Sequence, residues 1–155
     1  MKKLLYLIAF IMGAMTSMAQ SPDFSGNWKL NNEKSTLFDQ FSLAPSQLIL
    51  IQTADSLMVE KHGNFQGQDY VTKDKFSLNG KECINAGFMD SKKTSTAVWS
   101  EDGKTLTILS KFPTQDQGEA TMKEVLQMVN ANLKLELNAA SQMGEMAETY
   151  VLDKQ

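Results

Sequence analysis

The chain has 155 residues, with 15 lysines and no arginine, 18 acidic residues, one histidine and a formal net charge of −3. A mildly acidic chain without arginine lacks the positive field that holds nucleic acid or an anionic membrane. It also lacks the planar fork that clamps carboxylates and phosphates. The single cysteine, Cys83, excludes an internal disulfide, so the fold must be held by its core.

The chain opens with MKKLLYLIAFIMGAMTSMAQ. Lys2 and Lys3 form a positive start, and Leu4 to Ala14 is an apolar run too short for a stable span. Ser17-Met18-Ala19 places small residues around a cleavage point. Residues 1–19 are therefore expected to be a secretory signal peptide, with a mature domain at 20–155 that is secreted or periplasmic. No cysteine stands near the cut to carry a lipid, and nothing downstream reads as a transmembrane helix, so no stable membrane anchor is expected. Without Lys2 and Lys3 the formal charge becomes −5, on a length suited to one domain.

From Gly26 onward the hydrophobic pattern alternates with period two, broken by frequent turn signals. Strands are expected at 26–31, 47–53, 56–62, 69–78, 82–86, 93–100, 104–112, 120–129, 133–138 and 146–153. Gly63-Asn64 and Gly67 read as breaks. Asn79-Gly80 and Asp102-Gly103 read as hairpin turns, because their residues tolerate positive φ. Ser35 to Gln47 is too irregular for a strand. It reads as a short helix capped by Ser35 or Thr36, with Leu37, Phe38 and Phe41 on one face. Over a barrel end that segment is either a plug completing the core or a lid over a ligand mouth. An open meander of so many strands leaves two bare edges, and closure into a barrel removes them. The expected fold is all-β: one antiparallel up-and-down barrel of about 8–10 strands.

Catalytic constellations are nearly absent. His62 reads as an exposed residue at a strand end, and no metal-ligating spacing occurs. Asp102 has an ordinary turn role, while Asp116 and Glu119 flank a loop without calcium-site spacing. Cys83 reads as a small buried hydrophobe. Glu124 and Glu148 share strand faces with large apolar residues, Met122, Leu126 and Met128 for one, Met146, Tyr150 and Leu152 for the other. Either they point into the barrel to fix a polar group or pair with a lysine, or a bulge turns them to solvent. Met58, Met89, Met122, Met128, Met143 and Met146 are open to two readings as well, core padding or an adaptable ligand surface.

Phe24-Ser25-Gly26-Asn27-Trp28-Lys29-Leu30-Asn31 with Glu33-Lys34-Ser35, the turn and strand Asp102 to Thr107, and the final Thr-Tyr-Val-Leu-Asp-Lys-Gln resemble secreted bacterial lipocalin-like proteins. The resemblance implies a calycin-type barrel with an internal cavity and a small apolar ligand. Lipocalins of this kind place a late arginine over the first-strand tryptophan, and here there is none. On this reading the candidate ligand-binding residues are Met58, Trp99, Met122, Glu124, Leu126, Glu148 and Tyr150, with Leu37, Phe38 and Phe41 as a lid. No catalysis, metal or cofactor is expected. The alternative is a filled barrel that engages a protein partner, for example as an inhibitor.

Overall fold

The computed structural model describes residues 20–38, 41–65, 67–87, 91–114 and 118–155; the expected signal peptide, Met89 and Asp116 lie outside them. Ten strands follow in chain order: β1 (Gly26–Leu30), β2 (Gln47–Gln52), β3 (Ser56–Phe65), β4 (Gln68–Ser77), β5 (Cys83–Ala86), β6 (Lys92–Trp99), β7 (Thr105–Pro113), β8 (Glu119–Val129), β9 (Asn132–Ser141) and β10 (Gly144–Lys154). All pairings are antiparallel, in the order β4-β3-β2-β1-β10-β9-β8-β7-β6-β5. The up-and-down barrel read from the sequence is thus the one observed. β1 joins the two halves by pairing with both β2 and β10, which brings Trp28 opposite Leu48 on one side and Lys154 on the other.

β4 and β5 are the ends of the sheet, and here the barrel is nearly closed without a ladder. Asn85 bridges them: its side-chain oxygen accepts from the Lys75 N–H at 2.8 Å, and its amide donates to the Lys75 carbonyl at 3.1 Å. One asparagine side chain therefore mimics the paired bonds of a neighbouring strand. Alongside, the Ser77 N–H donates to Cys83 Sγ at 3.1 Å, so Cys83 is half-buried and bonded rather than a core hydrophobe. The Asn79-Gly80 turn forms, with Asn79 accepting from the Lys81 N–H, but it leads into this seam instead of a paired hairpin. A local turn signal specifies the bend, whereas pairing beyond it depends on which strand offers a better partner, and β5 pairs with β6.

The lower end of the barrel is filled by large aromatic side chains. Phe24 and Trp28 are fully buried, and the Trp28 indole N–H donates to the Phe24 carbonyl at 2.9 Å. Phe24 stacks on Trp99, with ring centroids 5.5 Å apart. Lys154 lies over the Trp28 ring at 5.3 Å, so a lysine occupies the place where the resemblance calls for an arginine.

Two local expectations are corrected. Among the described residues Ser35–Gln47 contains no helix; after a turn at 32–34, Thr36 forms an antiparallel bridge to Thr149. β1 ends at Leu30, which leaves the edge of β10 unpaired there, and extended backbone at Thr36 satisfies it by exchanging two hydrogen bonds with Thr149. Gly63 is not a break either, since β3 continues to Phe65. The glycine is needed for space: a Cβ at this position would lie 2.4 Å from the Tyr70 ring. His62 is accordingly inside a strand, half-exposed, and bonded to Glu60 at 2.6 Å.

Replacing Asn85 by Ala is expected to speed hydrogen exchange at the Lys75 amide and to cost about 1 kcal/mol of stability, the size of a modest net hydrogen bond. Unchanged exchange at Lys75 would show that the seam closes without it.

Candidate functional site: the strapped end of the barrel

The site is built by alternation across four neighbouring strands. Ser110, Met122, Ala139 and Met146 are consecutive register partners on β7, β8, β9 and β10 and share the inward face. One inward step toward the packed end, the same strands carry Ile108, Glu124, Leu137 and Glu148. Above the first row, with Phe38 of the strap that joins β1 to β2, lies a cavity of about 590 Å³. The neighbouring rows, Leu109, Lys123 and Asn138 on one side and Lys111, Thr121, Ala140 and Glu145 on the other, also border it, at positions that alternate to the outer surface.

Both acids singled out from the sequence point inward; no bulge turns them out, and Glu124 and Glu148 flank Leu137 from opposite sides. Each has a different partner. Glu124 takes the ammonium of Lys61, which reaches across the interior from β3. Burial pulls the Lys61 ammonium toward neutrality, but Glu124, and more distantly Asp74 and Tyr70, hold its pKa above the ordinary lysine value. A second interior pair joins Lys93 of β6 to Asp74 of β4 at 2.7 Å. Lys93, Asp74, Lys61 and Glu124 thus form a line of alternating charge through the barrel.

Glu148 has no cation among its partners. Its Oε1 accepts from the Phe38 N–H at 2.8 Å; its Oε2 accepts from the Leu43 N–H at 3.0 Å and the Tyr150 hydroxyl at 2.5 Å. Burial pushes the carboxyl pKa up, but these donors together with the Ser42 hydroxyl outweigh it and hold Glu148 below its ordinary value. Burial and the same carboxylate push Tyr150 far above the usual phenol range, so it stays a protonated donor. Glu148 therefore clips the strap to the barrel wall by two backbone amides.

The predicted site residues separate into three groups. Met122 lines the cavity; Glu124, Glu148, Leu126 and Tyr150 lie inward beneath it. Trp99 faces inward at the packed end, against Phe24, and takes no part. Met58 is 47 % exposed: β3 turns Leu57 and Val59 inward, which sends Met58 to the outer surface. Of the strap residues, Leu37 packs on the core, Phe38 borders the cavity, and Phe41 is 50 % exposed. The sequence reading passed over Lys61, Asp74, Lys93, Ser110 and Ala139. A signal for Lys61 existed, since it follows Leu57 and Val59 at period two, as Asp74 precedes Phe76. His62 is on the outer face with Glu60 and does not converge with the interior acids. No cluster of three potential metal ligands occurs among the described residues.

No family model matches the chain, and no curated protein does. Solved structures match by fold. The zebrafish ileal bile acid-binding protein complexed with cholic acid aligns at TM-score 0.59 and 16 % identity, over 85 % of this chain and 98 % of its own. Lipid binding protein 8 of Caenorhabditis elegans aligns at 0.60 and 12 %, over 85 % and 95 %. A heat-soluble protein of Ramazzottius varieornatus aligns at 0.60 and 8 %, again over 85 % and 95 %. At such identities the likeness is one of fold, the ten-stranded barrel.

Replacing Glu148 by Ala is expected to abolish exchange protection at the Phe38 and Leu43 amides and to cost about 1.5–3 kcal/mol, the range for bonds to a charged group; Gln should fall between. Because the folded pKa lies below the ordinary 4.5, this stabilisation is complete above that value and lost as pH falls through the folded one. Strap protection that stays constant down to strong acid would refute the clip.

Proposed function

We propose that this chain is an exported, non-enzymatic carrier that holds a small hydrophobic molecule between the barrel wall and its strap. The observation that carries this reading is the cavity of about 590 Å³ with Phe38, Met122, Ala139, Met146 and the Ser110 hydroxyl on its inner side and polar residues such as Lys111 and Glu145 at its border. Ligand sites of this kind span about 300–1,000 Å³ and are mostly apolar with few placed polar groups. Two methionines give a lining that adapts to ligands of varied shape. The likeness to barrels whose names record bile acid and lipid binding supports the same use of the interior here.

Export rests on the sequence alone: the positive start, the short apolar run and the small residues up to Ala19. The non-enzymatic reading is supported by the interior acids, each of which is already engaged by partners that fold the protein.

An apolar fluorescent probe added to purified protein is expected to bind with a blue-shifted emission. Ala139→Trp, which fills the cavity, should weaken that binding by at least about tenfold, while a leucine at Met58 on the outer wall should not. If the probe ignores Ala139→Trp, the cavity is not the binding site. Absence of binding altogether would turn attention to a filled barrel that engages a protein partner. Terminal sequencing of the exported protein should start at Gln20; a start at Met1 would remove the signal-peptide assignment.

A further inference from the structure

The charge inside the barrel does not balance. Among the described residues three carboxylates are buried, Asp74, Glu124 and Glu148. Two ammonium groups reach them, Lys93 on Asp74 and Lys61 on Glu124. Glu148 is held by uncharged donors only, the Phe38 and Leu43 amides and the Ser42 and Tyr150 hydroxyls. One negative charge is left over, and it sits one inward step from the cavity row, below Met146, with Glu124 below Met122.

An anionic head group lowered into this cavity approaches two carboxylates in the row beneath it, while the two lysines at its border, Lys111 and Lys123, are exposed and alternate to the outer surface. The chain has no arginine, and both interior lysines are already engaged. In a desolvated space, like charges repel strongly and an unpaired ion is costly. What the interior offers a ligand is of another kind. Ser95 and Ser110 share one hydrogen bond at 2.8 Å, which uses one of their two hydroxyl hydrogens and leaves the other to donate. Ser110 lines the cavity, so the serine pair presents there a hydroxyl that can both donate and accept, which suits a ligand hydroxyl.

We infer that the cavity selects uncharged amphiphiles bearing a hydroxyl, the chemistry of long-chain alcohols, monoacylglycerols and sterols, and rejects carboxylate and sulfate head groups. This rests on the carrier reading and narrows its ligand class.

The test is competition against the bound fluorescent probe by tetradecan-1-ol, tetradecanoate and tetradecylamine, matched in chain and differing in head-group charge, at neutral pH. The alcohol is expected to displace the probe at a concentration at least about tenfold below the carboxylate. Glu124→Gln frees the Lys61 ammonium and should shift the alcohol-to-carboxylate ratio toward the carboxylate by a similar factor; if that variant does not fold, the ratio in the unaltered protein still decides. Tetradecanoate binding as tightly as the alcohol overturns the inference and leaves the carrier reading standing. Tetradecylamine binding tighter than the alcohol also overturns it, in favour of cations. Failure of the probe and all three compounds to bind overturns the carrier reading itself.

Discussion

A charge taken out of water must find a partner, and in this barrel that constraint ties together parts of the chain that no ladder joins. Lys61 and Glu124 connect β3 to β8 across the interior, and Lys93 and Asp74 connect β6 to β4 across the seam. Glu148, lacking a cation, takes its partners from the strap, and so the segment between β1 and β2 is placed by a carboxylate more than a hundred residues away. Leucines in the same positions would pack but would specify none of these crossings.

The two ends of the barrel are filled differently. At one end Phe24 stacks on Trp99 and Lys154 lies over Trp28, and the terminal strands β1 and β10 meet there. At the other, the wall residues shrink to Ala139 and Ser110 or become the flexible Met122 and Met146, and a cavity remains. The strap completes the wide end through Leu37, Leu43 and Ala44 on the core and Phe38 over the space.

The likeness to bile-acid- and lipid-binding barrels concerns the backbone, and the interior side chains decide what such a backbone holds. Here they include an excess of carboxylate over ammonium and no guanidinium. A shared fold is therefore compatible with a ligand of different charge, because selectivity lies in which polar groups remain unpaired after folding.

Strand rhythm was legible from the sequence because alternation is a local property, set by which face of each pleat is apolar, and it led to an up-and-down barrel of about 8–10 strands. The direction of Glu124 and Glu148 stayed open in the sequence, since the leucines, methionines and tyrosine beside them favour the inside but a bulge would turn both to solvent; the unbroken register of β8, β9 and β10 decides it. What those acids do was not legible: Lys61 lies 63 residues from Glu124, and Phe38 lies 110 residues from Glu148. Met58 was misplaced because its apolar side chain shares a face of β3 with Glu60 and His62, opposite the buried Leu57 and Val59. The helix expected at Ser35–Gln47 gave way to a bridge with Thr149 because an open strand edge elsewhere in the chain competed for that backbone. The sequence by itself determined the periodicity, and with it the fold class. Only the tertiary structure decided the partners, because burial makes each charge seek whichever opposite charge or donor the closed barrel brings near.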